Sequence, residues 1–266
     1  MPASIHPTAV VESGAQLADS VEVGAFAYIG AHVTLGERCR VHHHATVEGV
    51  TVLGPECEVF PYAAIGTKTQ DLKFSGGKPG LRVGARNVFR EYVTVHGGTK
   101  DGQNTTLGDD NVILAYSHIA HDCVVGNKMI MSSQAALAGS CTIGDHVNIA
   151  WGTGVHQFCR VGSHAMIGGM SKTVQDVLPF MIADGNPSLI RGYNKIGLAR
   201  HGFSAEAMAR IKAAYKTIYR AGLNRTQAFA ALSAQPDADT PELKAIIEFA
   251  AATKRGLCSG TTGRAE

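Results

Sequence analysis

Every sixth residue of this chain is apolar over two long stretches. The first runs Ile5, Val11, Leu17, Val23, Ile29, Leu35, Val41, Val47, Leu53, Val59, Ile65. The second runs Leu107, Ile113, Ile119, Val125, Met131, Leu137, Ile143, Ile149, Val155, Val161, Ile167, and Val83, Phe89 and Val95 hold the same phase between them. If about a third of residues are large and apolar, eleven consecutive hits arise by chance about once in 10⁵. Neither an amphipathic helix nor strand alternation has a period of six. The pattern is that of a hexapeptide-repeat parallel β-helix, a mainly β fold. Three six-residue units make one coil, and coils stack at about 4.8 Å.

A second inward position lies two residues before each apolar one and is mostly small, as at Ala9, Ala27, Cys39, Ala45, Cys57 and Ala63. Cys39 and Cys57, and likewise Cys123, Cys141 and Cys159, recur at this position in successive coils. Free Cys there acts as a compact hydrophobe. With no Cys-x-x-Cys pair and no secretory segment, the chain reads as a reduced, cytoplasmic protein. Glycine often follows the apolar residue, as at Gly36 and Gly144, which suggests tight corners. No apolar run is long enough for a membrane span, so no stable membrane insertion is expected.

The repeat is interrupted twice, at about 67–80 and 97–106, by polar, Gly-rich segments expected to be loops extruded from the solenoid. The β-helix is expected over 1–190 and a helical domain over 191–266. Ser204 reads as the N-cap of a helix to about Ala221, Asn224 or Arg225 begins another to about Ser233, and Thr240-Pro241 begins a third. From Arg191 onward there are 12 Lys/Arg against 6 Asp/Glu, a local charge of +6. That balance suggests an acidic or phosphate-bearing partner. No aromatic-interleaved basic patch points to nucleic acid.

The segment His118-Ile119-Ala120-His121-Asp122-Cys123 carries the clearest chemistry. Ile119 and Cys123 are inward by phase, so His118, His121 and Asp122 face outward. An outward His beside a carboxylate can serve as a general base. His156-Gln157 lies two coils further on, Gly139 one coil beyond His121, and Asp71 and Lys73 sit in the first loop. The Gly139 amide could serve an oxyanion. His42-His43-His44, His146 and His164 read as outward surface residues, and no metal site or cofactor is expected. Trp151 reads as packing at an interface.

Ile5-His6-Pro7-Thr8-Ala9, Gln70-Asp71-Leu72-Lys73, the His-Ile-Ala-His-Asp-Cys segment, Val155-His156-Gln157-Phe158 and Gly185-Asn186 together resemble the UDP-N-acetylglucosamine O-acyltransferase family over nearly the whole chain. The resemblance implies a left-handed helix, against the usual right-handed crossover, and a homotrimer with sites between subunits. It implies transfer of an (R)-3-hydroxyacyl group from acyl carrier protein to the 3-hydroxyl of UDP-N-acetylglucosamine, in lipid A biosynthesis. His121 would be the base, Asp122 its partner and Gly139 the oxyanion donor. Gln70, Asp71, Lys73, His118, His156 and Gln157 would bind and position substrate, and Asn194 and Arg200 would lie near the nucleotide phosphates. Met166 and Gly169 would belong to the acyl-chain pocket.

Three positions depart from the family pattern. Ser140 stands where many members have His, His201 where a second Arg is common, and Pro187 where some have His. Three rival readings follow. A 3-amino sugar acceptor would give an amide. The N-acyltransferase of the same pathway carries an extra N-terminal domain, for which a repeat beginning at Ile5 leaves no room. A zinc-dependent hydro-lyase on this fold would use interfacial histidines.

Overall fold

The computed structural model describes residues 2–260; the end of the 191–266 region, residues 261–266, lies outside them. The chain winds as a left-handed parallel β-helix of three faces, followed by a helical part. One face has eleven strands, one nine and one eight. Pairing is parallel with an 18-residue step, as in Ile5↔Val23, Tyr28↔Thr46 and Leu17↔Leu35. The apolar residues of the repeat fill the prism; Ile29, Ile65, Phe89, Ile119, Leu137 and Ile149 have no solvent exposure. Ile5 is inward by phase yet 46% exposed, because no coil lies beneath it.

The small inward positions also cap the corners. Cys39 Sγ donates to the Gly54 carbonyl and Cys57 Sγ to that of Gly84, both at 3.1 Å, and the Ser117 and Thr153 hydroxyls do the same for Ser132 and Gly168. Where Asn replaces Cys, its amide links its own coil to the next by two bonds. Asn111 Nδ2 donates to Gly126 O at 3.0 Å, while its Oδ1 accepts from Met129 N at 2.8 Å. Each bond satisfies a carbonyl or amide that the prism removes from water. All six cysteines are free and buried.

The glycines after the apolar residue have a different cause from the one expected. At Gly36 and Gly144 the backbone is ordinary, but a Cβ would meet the next coil's backbone nitrogen at 2.7 Å (Pro55) and 2.6 Å (Ser163). The left-handed corner position lies two residues later and carries side chains, among them Tyr62, Tyr92, Asp122 and His164. Close coil contact, not turn conformation, selects these glycines.

The solenoid ends in an antiparallel hairpin, Met181–Asp184 with Leu189–Tyr193, so strand structure continues past residue 190. Among the described residues four helices follow: α1 Lys195–Arg200, α2 Ala205–Tyr219, α3 Arg225–Ser233 and α4 Pro241–Ala251. Ser204 caps α2 through its hydroxyl, and Asn224 and Gln227 form a reciprocal capping box on α3. Pro241 opens α4, whereas the Thr240 hydroxyl bonds Asp237 O instead of capping. The short α1, absent from the sequence expectation, is capped by Asn194. Arg160 ties α4 to the solenoid, stacking on Phe249 at 4.1 Å and donating to its carbonyl at 3.2 Å.

Candidate active site

Both interruptions leave the solenoid at one corner, between the nine- and eight-stranded faces. The first joins the strands Ala64–Thr67 and Gly80–Val83; the second joins Thr94–His96 and Asn104–Leu107. They widen the coil step to 30 residues (Glu58↔Val88) and then 24 (Val88↔Val112), both multiples of six, so the inward phase survives. His121, Gly139 and Gln157 occupy the same corner in the next three coils.

His121 Nδ1 lies 2.8 Å from Asp122 Oδ2. The second loop holds that carboxylate: Thr99 N–H donates to Oδ1 at 2.9 Å and the Thr99 hydroxyl to Oδ2 at 2.6 Å. Asp122 N–H in turn donates to the Thr105 hydroxyl at 2.8 Å. Burial works against the Asp122 charge, but the bonds from Thr99 and His121 outweigh it and hold the group below the usual carboxylate range. An ionised Asp122 only accepts, so Nδ1 is the protonated nitrogen of the neutral ring and Nε2 the one with the lone pair. That edge of the ring rests on Gly139, where a Cβ would come within 2.5 Å of Nε2. The Gly139 N–H has no acceptor among the described residues.

The ring opens into a cleft of about 470 Å³. Its wall on the nine-stranded face is the outward ladder Thr94, His118, Ala136, Gly154, Lys172, in register over five strands. Small Ala136 and Gly154 leave a trough between His118 and Lys172. The Thr94 hydroxyl fixes His118 through Nδ1 at 2.7 Å. Behind it His96 is buried, its ring edge-on to His118 at 4.7 Å, and its Nδ1 has no partner among the described residues. Burial, with His118 and His121 nearby, pushes His96 down to about 4. Burial, with His121 nearby, also lowers His118. Both are therefore neutral at pH 7.

Of the residues singled out from sequence, Gln70, Asp71, His118, His121, Gly139 and His156 line this cleft. Asp71 anchors the loop through an Asx turn, accepting from Lys73 N at 3.0 Å. Lys73 and Gln157 are exposed outside the cleft lining. His156 Nδ1 accepts from Arg255 Nη2 at 3.3 Å. Asn194 and Arg200 lie apart: Asn194 is buried, its side chain capping α1 and donating to His164 O at 2.9 Å, and Arg200 is exposed at the end of α1. Met166 lies on the eleven-stranded face and Gly169 on the edge between that face and the nine-stranded one.

Sequence reasoning missed Thr94, His96, Thr99 and Lys172. Lys172 could have been found by extending the 18-residue register from His118, whereas Thr94 lies a 24-residue step away, across the second loop. Nothing in the sequence marks Thr99, whose place depends on how its loop closes. The basic C-terminal region is also less free than its charge suggests. Arg210 pairs with Glu242 at 3.1 Å, Arg220 bonds the Tyr215 hydroxyl at 2.8 Å, and Arg225 donates to the Leu257 carbonyl.

The family model described as UDP N-acetylglucosamine O-acyltransferase, domain 2, matches residues 176–258, and a six-repeat bacterial transferase hexapeptide model matches residues 14–49. An acyl-[acyl-carrier-protein]–UDP-N-acetylglucosamine O-acyltransferase from Verminephrobacter eiseniae is 45% identical over 258 residues, covering 96% of this chain and 98% of that protein. One of the same name from Thermodesulfovibrio yellowstonii is 40% identical over 255 residues, covering 96% and 98%. Among solved structures, a Francisella novicida UDP-N-acetylglucosamine acyltransferase superposes with a TM-score of 0.93 at 34% identity, covering 97% of this chain and 95% of that one.

Proposed function

Because the chain belongs to the acyl-[acyl-carrier-protein]–UDP-N-acetylglucosamine O-acyltransferase family, we propose that it transfers an (R)-3-hydroxyacyl group from acyl carrier protein to the 3-hydroxyl of UDP-N-acetylglucosamine, the first step of lipid A biosynthesis, with His121 as general base. The observation that carries the chemical reading is the Thr99–Asp122–His121 relay, which engages Nδ1 and turns Nε2 toward Gly139 in the cleft. Nε2 takes the proton of the sugar hydroxyl as its oxygen attacks the thioester carbonyl. Asp122 stabilises the imidazolium that forms. The Gly139 amide meets the developing oxyanion, and collapse of the tetrahedral adduct expels the carrier thiolate, which takes up the proton held by the His121 imidazolium, directly or through solvent, and so restores the base. The thioester is already activated, so these residues supply base, orientation and charge stabilisation.

The active form in this reading is a homotrimer in the cytoplasm. Asn194, Arg200, Met166 and Gly169 would serve the cleft of a neighbouring copy, with the eleven-stranded face of one chain against the nine-stranded face of the next. The edge between those two faces would then point to the threefold axis. That edge carries an exposed apolar stripe that such an axis would bury: Phe26 (60%), Tyr62, Tyr92, Tyr116, Trp151 and Met170 (63%). The deciding experiment incubates the purified protein with UDP-N-acetylglucosamine and hydroxyacyl carrier proteins of several chain lengths and identifies products by mass. An alkali-labile mono-O-acyl product is expected. No acyl transfer from any donor would overturn the proposal, and an alkali-stable amide would redirect it to an amino-sugar acceptor.

A further inference from the structure

A second histidine cluster lies away from the cleft, at the edge between the eight- and eleven-stranded faces. His146 and His164 stand one coil apart at left-handed corner positions, and their rings stack at 4.7 Å and 9°. His201, the C-cap of α1, lays its ring across both, at 4.5 and 5.3 Å. One ligand-competent nitrogen from each residue lies within 4.8 Å of the other two. His146 and His164 are thus half-buried members of a cluster, not the plain surface residues expected from the repeat. The residue that joins them comes from outside the repeat.

Phe203 packs on His164 at 4.9 Å and Phe180 at 5.9 Å. His164 Nδ1 is buried with no hydrogen-bond partner among the described residues. Burial, with His146 and His201 adding, pushes His164 down to about 4, and burial also lowers His146.

We propose that His146, His164 and His201 form a three-nitrogen site for one divalent transition-metal ion of the zinc class. An all-imidazole set suits zinc, cobalt, nickel or copper and is a poor match for magnesium or calcium, which take oxygen ligands. Tetrahedral zinc, with bonds of about 2.0–2.1 Å, needs ligand nitrogens roughly 3.3 Å apart. The ligand nitrogens now lie up to 4.8 Å apart, so the rings would turn inward on binding. The fourth position takes water or an anion at the solvent-facing His201 side. The ion would also fasten α1, which is six residues long and buries only Leu198. Asn194 at its start already bonds the His164 carbonyl. A bridge from His201 to His164 would tie its other end to the same residue and fix the neighbouring Arg200.

The test uses full-length protein without a polyhistidine tag, stripped with chelator and checked for mass and circular dichroism. Cobalt(II) titration is expected to give visible d–d bands that saturate at one equivalent per chain and are displaced by zinc. Zinc-loaded, desalted protein should retain one zinc per chain. His201→Arg, at an exposed helix end, and His146→Ala should each weaken binding by about 100-fold or more while the protein stays folded. His43→Ala, outside the cluster, should change nothing. Wild-type protein that retains no zinc, or zinc retained equally by folded His201→Arg and His146→Ala, would overturn the proposal.

Discussion

Thr99 holds Asp122 by both of its donors, the N–H at 2.9 Å and the hydroxyl at 2.6 Å, although the two residues belong to different coils. A loop with no catalytic side chain of its own thus sets the orientation of the carboxylate that orients His121. Thr99→Val keeps the backbone bond and the shape but removes the hydroxyl. Hydrogen bonds to charged groups are worth about 1.5–3 kcal/mol. We expect turnover to fall by about 10-fold with KM for the sugar nucleotide nearly unchanged, as steady-state kinetics would register. A fall confined to KM would contradict the relay.

His121→Ala should leave the fold and the oligomeric state unchanged and lower turnover by about 10² or more, as loss of a general base does. Sedimentation and initial rates on one preparation check both halves. Near-normal turnover would remove His121 from its role.

Gly139→Ala tests the geometry without removing a polar atom. The new Cβ would sit 2.4 Å from His121 Cε1, so the ring must move. A displacement of about 1 Å at reacting groups can cost 10²-fold in rate. We expect a loss of that order with a thermal midpoint close to wild type. A variant as active as wild type would mean that the ring does not work from this position.

Gly169 offers a contrasting case. A Cβ there would meet only Trp151 O at 3.4 Å and Ala150 Cβ at 4.0 Å, ordinary contacts, so the chain itself tolerates substitution. Gly169→Met is expected to shift preference toward shorter acyl donors, since each buried CH₂ contributes about 0.8 kcal/mol and a blocked groove forfeits it. Competition between short and long hydroxyacyl carriers measures the shift. An unchanged product ratio would exclude Gly169 from setting chain length.

His96 makes stability depend on pH. Its native value near 4 lies below the ordinary histidine value of 6.5, chiefly through burial. Between these values the unfolded chain binds the extra proton, so His96 contributes stability above about pH 6.5 that is lost as pH falls toward 4. The slope from this one group is at most about 1.4 kcal/mol per pH unit. His96→Gln should flatten the dependence of unfolding midpoint on pH in that window, as denaturant titrations at several pH values would reveal. An unchanged slope would show that His96 is not the group responsible.

The solenoid was legible because the repeat is a one-dimensional code: phase alone assigns Ile119 and Cys123 inward and His121 outward. The capped starts of α2 and α3 were legible for a similar local reason, since Ser204 and Asn224 act on amides within their own first turn. What stayed hidden depends on distance in sequence. Thr99 reaches Asp122 only because a loop folds back on its corner, and His201 reaches His146 only because a helical segment returns to an edge of the prism. The glycine spacing was visible but its cause was not, because contact between successive coils is invisible in a single repeat.

The half-exposed Ile5 marks where this molecule comes apart. Within one chain the coils near the start are held by the coils above and below them, so the solenoid behaves there as a linear array with nearest-neighbour coupling. The strand Ser4–Ile5 has a neighbour on one side only and ends its sheet with an open ladder. Fraying begins there and must pass coil by coil before it reaches His121. Amide hydrogen exchange should therefore form a gradient along the axis, fastest near residue 5 and slow around residue 119. The corner that holds His121 owes its persistence to being in the middle of the stack.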